Sequence, residues 1–182
     1  MDYLITDMGQ YTVSVLNGMK EHWTVSVMFI LAAVHILIFS KQKVIDRILL
    51  SVLVIYLYLI FLSTILMRSN SGAHKAMLQP FWSYREAISK PYFRFEILEN
   101  MILFVPAGLL LKLYNRNNGR KQSFLRSMIC LILFSAGIET LQYFLKVGLC
   151  EFDDVFNNTL GGMAGYGIGS FAIKLAKSLR EF

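Results

Sequence analysis

Two polar residues, Glu139 and Gln142, interrupt an apolar run that extends from Phe124 to Phe144. Their i,i+3 spacing puts both on one face of a helix. A second group, Glu151, Asp153 and Asp154 followed by Asn157 and Asn158, leads into an apolar stretch stepped with glycine at Gly161, Gly165 and Gly169. A third group, Glu96, Glu99 and Asn100, opens the run that contains Pro106 and Gly108. Carboxyls and amides together offer acceptors and donors to sugars, amines or peptide groups. Carboxyls in unlike surroundings can also divide acid and base roles, and oxygen ligands can hold Mg²⁺ or Ca²⁺. The plainer alternatives are hydrogen bonds that join helices, for Glu139 and Gln142, and an N-cap, for Asp153 or Asp154.

The remaining reactive residue types point to no metal or cofactor. His22, His35 and His74 are isolated, and neither a CxxC nor an HExxH pattern occurs. Cys130 lies within an apolar helix and Cys150 in a loop at one membrane face, so the pair reads as two free thiols. His35 reads as a packing residue, and the Asn157-Asn158-Thr159 sequon, on a helix start against the membrane, as unused.

Composition sets the medium in which these groups work. The 182 residues are 55% hydrophobic and 16% charged, and the mean hydropathy is +0.52, which is more apolar than a soluble domain of this size. The net charge of +6 is spread between apolar blocks rather than gathered in a stripe with aromatics, which argues against a nucleic-acid partner. In a bilayer, small residues four apart let helix backbones touch, so the glycine ladder reads as packing.

Five apolar runs approach the length needed to cross the hydrocarbon core: Trp23–Ser40, Ile48–Met67, Ile97–Leu113, Phe124–Phe144 and Val155–Leu175. The third is the shortest and carries Pro106 and Gly108; a neighbouring helix can serve the carbonyl that the proline frees. Residues 1–22 place Leu4, Met8, Tyr11, Val15 and Met19 on one face and carry Asp2 and Asp7 rather than a positive leader, which predicts an interfacial amphipathic helix or a frayed tail. Without repeats or polar linkers the chain reads as one domain, 1–182, an all-α polytopic membrane bundle of about five spans plus the N-terminal helix.

Charge orients it. Lys41, Lys43 and Arg47, then Lys112, Arg116, Arg120, Lys121 and Arg126, then Lys174, Lys177 and Arg180 fall on one side of a five-span bundle. The positive-inside rule predicts an outside N-terminus and a cytoplasmic C-terminus. The connection from Arg68 to Glu96 runs against the rule, with Lys75, Arg85, Lys90 and Arg94, but its Trp82, Tyr84, Tyr92 and Phe93 suit an interfacial segment. In this topology Glu96, Glu99 and Asn100, Glu139 and Gln142, and Asp154, Asn157 and Asn158 all lie toward the outer ends of three helices. An ionised acid at mid-bilayer costs on the order of 2.5–3.5 kcal/mol, so Glu139 needs a cation or donors to stay charged. Arg68, His74, Arg85, Arg94 and Lys146 are the outer-side candidates.

At these residues the chain resembles the VanZ-like membrane proteins. Arg68 followed by Leu78-Gln79-Pro80-Phe81, the segment from Glu99-Asn100 to Phe104-Val105-Pro106-Ala107-Gly108, and Gly137-Ile138-Glu139 with Gln142, Phe152-Asp153-Asp154 and Asn158-Thr159-Leu160-Gly161 carry the likeness. Many members have an arginine shortly before the acidic pair, where this chain has Leu149-Cys150-Glu151. The resemblance implies a multi-pass protein of the bacterial cytoplasmic membrane, and the name-giving member is associated with resistance to the lipoglycopeptide teicoplanin.

Three functions compete. The first is binding or modulation of an outer-leaflet amphiphile, a lipoglycopeptide or a lipid-linked cell-wall precursor, by Glu99, Asn100, Glu139, Gln142, Asp153, Asp154 and Asn158, with Arg68 as internal counter-ion. The second is an intramembrane enzyme acting on a lipid-linked substrate by acid–base or metal chemistry. The third is a structural partner of other envelope proteins. The bilayer is the one partner common to all three.

Overall fold

A computed structural model of the chain describes residues 2–116 and 123–179, with side chains from residue 12 onward. The side chains of Leu4, Met8 and Tyr11, and the basic residues Arg120, Lys121 and Arg180, lie outside the described residues. The described chain is all-α apart from two short strands. Its elements are α1 (Asp2–Glu21), α2 (Trp23–Phe39), α3 (Val44–Phe61), β1 (Lys75–Met77), α4 (Trp82–Ser89), α5 (Pro91–Asn115), α6 (Ser123–Leu145), β2 (Leu149–Glu151) and α7 (Phe152–Ser178).

Among the described residues three helices are long and apolar enough to cross a membrane: Val44–Leu66, which is α3 with a π turn at its end, Pro91–Asn115 and Ser123–Leu145. The second half of α1 with α2, bent by 97°, makes a fourth if the two are one broken span. Five spans were expected, and two physical facts account for the difference. At 17 residues α2 is about 25 Å long, short of a 30 Å core. In α7, 27 residues long, Asp153, Asp154, Asn157, Asn158 and the glycines dilute the apolar content. Apolar side chains at least 60% exposed, among them Met28, Ile38, Ile102, Leu133 and Phe171, cover the outside of the bundle, where hydrocarbon rather than water suits them.

The expectation of a short third span is corrected. α5 has 25 residues and begins at Pro91, six residues before the apolar run, because Lys90 is extended and proline is favourable in a first helical turn. Pro106 stays inside this helix, and the Tyr56 hydroxyl of α3 donates to the Leu103 carbonyl at 2.7 Å, beside the bond the proline removes. The connection from residue 68 to 96 also differs from a plain interfacial loop. It forms β1, which pairs in parallel with β2, Ala76 opposite Cys150, and then α4.

The glycines of α7 decide how it lies. A β-carbon at Gly161 would overlap the Met101 carbonyl, one at Gly165 the Val105 carbonyl, and one at Gly108 the Gly162 carbonyl; at Gly169 it would stand 3.0 Å from the Lys112 side chain. Steps of four on α7 thus meet steps of about four on α5 in the same direction, so the two helices run parallel with their backbones in contact. Leu53, Ile60, Phe104, Leu131, Ile138 and Tyr166, from α3, α5, α6 and α7, fill the core between them. At one end of the bundle Gln42 Nε2 donates to the Tyr114 hydroxyl at 2.9 Å, joining the α2–α3 turn to the end of α5. At the other end lie β1, β2 and α4.

Candidate functional site

The polar groups gather where α3, α5, α6 and α7 meet the small sheet. β2 ends at Glu151, and the Glu151 N–H donates to Glu139 Oε2 at 2.8 Å, so the strand carries a donor into the buried end of α6. Glu139 is 4% exposed. One turn before it on α6, the Ser135 hydroxyl accepts from Asn158 Nδ2 at 2.8 Å. One turn before Asn158 on α7, Asp154 Oδ1 accepts from Asn100 Nδ2 of α5 at 2.6 Å. Helical spacing therefore stacks the Glu139–Asp154 level directly over the Ser135–Asn158 level.

Asp153 has a different task from its neighbour. It is completely buried, and its two oxygens accept from the Phe81 N–H at 2.6 Å, the Ser83 N–H at 2.9 Å and the Ser83 hydroxyl at 2.7 Å. These are orphan donors at the start of α4, so Asp153 caps that helix rather than its own. Phe81, at φ 59°, turns the chain into position for this. The Tyr84 hydroxyl then donates to Asn157 Oδ1, and Trp82 Nε1 to Glu151 Oε2 at 3.0 Å. Thus α4 is a plate bolted to the first turn of α7 through Asp153, Asn157 and Glu151.

α3 ends in a π turn, Leu62–Leu66, and this turn builds the remaining wall. It frees the Thr64 carbonyl to accept from Gln142 Nε2 at 3.3 Å, and it is followed by Arg68. Arg68, Glu99 and Asn100 line a cleft of about 720 Å³ between α3 and α5, with Leu59, Ile60 and Leu103 on its apolar side. The expected internal counter-ion, Arg68, reaches the acids without a direct contact. Among the described residues the ion pair formed is Lys90–Glu86, and Arg68 is an exposed group that lies against Gly148. Its charge acts on Glu96, Glu139 and Asp154 through space. Two of the other candidate cations are occupied elsewhere: His74 Nδ1 meets the Tyr143 carbonyl, and Arg94 donates to the carbonyls of Ala87 and Ile88 at the end of α4.

The expected site residues therefore divide. Arg68, Glu99 and Asn100 line the open cleft. Glu139, Gln142, Asp153 and Asn158 are buried behind it, and Asp154 joins the two sets through Asn100. Among the described residues four buried side-chain polar atoms have no partner, and three of them, Gln142 Oε1, Asn157 Nδ2 and Asn158 Oδ1, belong to this layer, the fourth being Arg47 Nε. Pro106 lines the cleft, while Gly108, Gly161, Gly165 and Gly169 lie on the α5–α7 contact. Ser83, Thr64 and Ser135 complete the network without having been singled out, and Tyr84, expected only as an interfacial aromatic, joins them. Ser135 stands four residues before Glu139, a spacing that marks it; nothing local marks the others.

Electrostatics outside the spans follow burial. Burial, with Asp154 second, pushes the Glu151 carboxyl up to about 8. Burial and then Asp153 raise the Tyr84 phenol, and burial followed by Glu139 raises the Cys150 thiol. Among the described residues no three His, Cys, Asp or Glu side chains are grouped to hold a metal ion.

The VanZ/LLP1 family model matches residues 47–173, from the start of α3 nearly to the end of α7. Over 78 residues the chain is 32% identical to Protein VanZ of Enterococcus faecium, an alignment covering 41% of this chain and 46% of that protein, so less than half of the relative is spanned. No solved structure matches. With the family model spanning the cleft, the buried acids and the α5–α7 contact alike, this chain belongs to the VanZ/LLP1 family.

Proposed function

We propose that the protein binds an amphiphile of the outer membrane leaflet, a lipoglycopeptide or a lipid-linked cell-wall precursor, and thereby contributes to glycopeptide resistance. The observation that carries this is the cleft of about 720 Å³. Its polar end has Arg68, Glu99 and Asn100; its wall is Leu59, Ile60, Leu103 and Pro106. A head group and an acyl chain need those two surfaces side by side. The buried layer of Glu139, Asp154 and Asn158 holds Asn100 in place from behind.

In this reading α2, α3, α5, α6 and α7 each cross the membrane, with the N-terminus outside and the C-terminus cytoplasmic. Parallel packing of α5 and α7, the Gln42–Tyr114 bond at one end and the β1–β2 pair at the other support that alternation. Exposed Ile168, Phe171 and Leu175 suit a lipid-facing α7. In a background with Cys130 and Cys150 replaced by alanine, a membrane-impermeant maleimide applied to intact cells is expected to label Lys75→Cys and not Lys41→Cys, and the reverse pattern would overturn the orientation.

Filling the cleft tests the function. Ser63→Trp, which projects into it, is expected to lower teicoplanin tolerance and the binding of labelled teicoplanin or lipid-linked precursor. Leu133→Trp on the exposed face of α6 is the matched control. Equal tolerance and binding for wild type and both variants, at equal membrane levels, would remove the proposal.

A further inference from the structure

The cleft carries two opposite charges that do not meet. Arg68 and Glu99 both line it and both are exposed, yet among the described residues no ion pair or hydrogen bond joins either to a protein partner. Two charges in one concave site gain from each other unless something of the right shape is to stand between them.

The other polar groups of the wall are turned away. The hydroxyls of Ser63 and Thr64 donate to the Ile60 carbonyl at 3.0 and 2.7 Å, and the Tyr56 hydroxyl donates to the Leu103 carbonyl. What faces the cleft there is methyl, methylene and ring carbon. Asn100 spends its Nδ2 on Asp154 and keeps its amide oxygen as an acceptor beside Glu99. The α5 side of the mouth therefore presents only acceptors, with the Glu96 and Asp154 carboxyls close by. The α3 side presents one guanidinium, whose planar fork suits phosphate or carboxylate.

Resting on the amphiphile reading above, we propose that the bound head group is zwitterionic, its anionic group held by Arg68 and its ammonium group by Glu99 and the Asn100 oxygen. A head with only an anion meets Glu99, and a head with only a cation meets Arg68, so each is rejected by the charge it cannot satisfy. Two sources carry this chemistry: a zwitterionic lipid from the bilayer, or a soluble zwitterion that needs no chain.

The test uses the full chain in a neutral maltoside detergent at pH 7, with four probes at equilibrium. Three share one acyl or alkyl chain length: lysophosphatidylethanolamine (zwitterion), lysophosphatidic acid (anion) and an alkylamine (cation). The fourth, glycerophosphoethanolamine, is the head without a chain. Lysophosphatidylethanolamine is expected to bind about tenfold or more tightly than each singly charged probe, the effect of one charge-assisted contact. Arg68→Gln should abolish its advantage over the alkylamine, and Glu99→Gln its advantage over lysophosphatidic acid; both positions are exposed, so neither change threatens folding. Equal binding of the three chain-bearing probes would overturn the zwitterion assignment and leave the amphiphile reading standing. No binding of any chain-bearing probe would overturn both. Chainless head binding as tightly as the lysolipid would support the charge assignment and overturn the amphiphile reading.

Discussion

Replacing Asp153 by asparagine tests whether α4 is anchored through one buried carboxylate. The two oxygens accept three hydrogen bonds, from the Phe81 N–H, the Ser83 N–H and the Ser83 hydroxyl, at 2.6, 2.9 and 2.7 Å. Asparagine keeps one oxygen, which can serve Phe81. Its amide nitrogen then faces two donors on Ser83; the hydroxyl can rotate to accept, but the backbone N–H cannot. Lost are one bond to a charged acceptor and the charge assistance of another, at about 1.5–3 kcal/mol for each such bond, so the expected loss is about 3 kcal/mol. Because α4 closes the end of the bundle rather than its core, the loss should fall on local opening. Amide hydrogen exchange over residues 83–89 should speed up by about a hundredfold in Asp153→Asn, with exchange in the middle of α6 little changed. Ser83→Ala alone should cost less, and the double variant should fall short of additivity by about 1 kcal/mol or more. Unchanged exchange in α4, or strict additivity, would refute the anchor and leave α4 held by its aromatic contacts.

Three further outcomes follow from the same geometry. Gly165→Ala should lower the thermal unfolding midpoint, at a cost of about 1–3 kcal/mol, because its β-carbon meets the Val105 backbone. Gly167→Ala, with nothing within 4 Å, should be neutral or raise stability by about 0.5–1 kcal/mol; equal effects would disprove the close contact. Tyr84→Phe should destabilise by about 1–2 kcal/mol, since it leaves the buried Asn157 amide without its one bonded donor, and hydrogen exchange in the first turn of α7 reads this directly. The Glu151 carboxyl titrates at about 8 when folded, against about 4.3 for an unfolded glutamate, so the folded state holds the extra proton between those values. Its contribution is therefore present below about 4.3 and is lost as pH rises through about 8. Thermal stability of the wild type should fall more than that of Glu151→Gln between pH 6 and 9, and parallel curves would contradict the assignment.

The helices were legible because apolar length is a matter of composition: the run Phe124–Phe144 folds as Ser123–Leu145. Where structure departs from the apolar run, as at Pro91, the departure follows capping and proline geometry rather than hydropathy. The polar faces of α6 and α7 were legible too, since i,i+3 and i,i+4 spacings group Glu139 with Gln142 and Asp154 with Asn158. The β1–β2 pair was not, because three-residue strands 74 positions apart, Lys75 to Leu149, leave no periodic trace. Nor was the role of Asp153. An acid at a helix start reads as that helix's own cap, and only the approach of Phe81 and Ser83 through a left-handed turn redirects it.

The division between buried and cleft-lining polar groups depends on the least legible feature of all, the π turn at Leu62–Leu66. A π turn adds one residue to the helical ladder and so rotates everything after it by about 100° relative to a plain α-helix. Without that rotation α3 would carry Arg68 to another face, and the cleft would hold only the carboxylate of Glu99 and the Asn100 amide. With it, the one guanidinium of the mouth stands on the wall opposite α5, and the released Thr64 carbonyl takes the Gln142 amide that ties α3 to α6. The same local irregularity thus separates the charges across the cleft and locks the helix that carries one of them. That coupling is why the polar end of the cleft is a built feature of the bundle rather than a chance gap between spans.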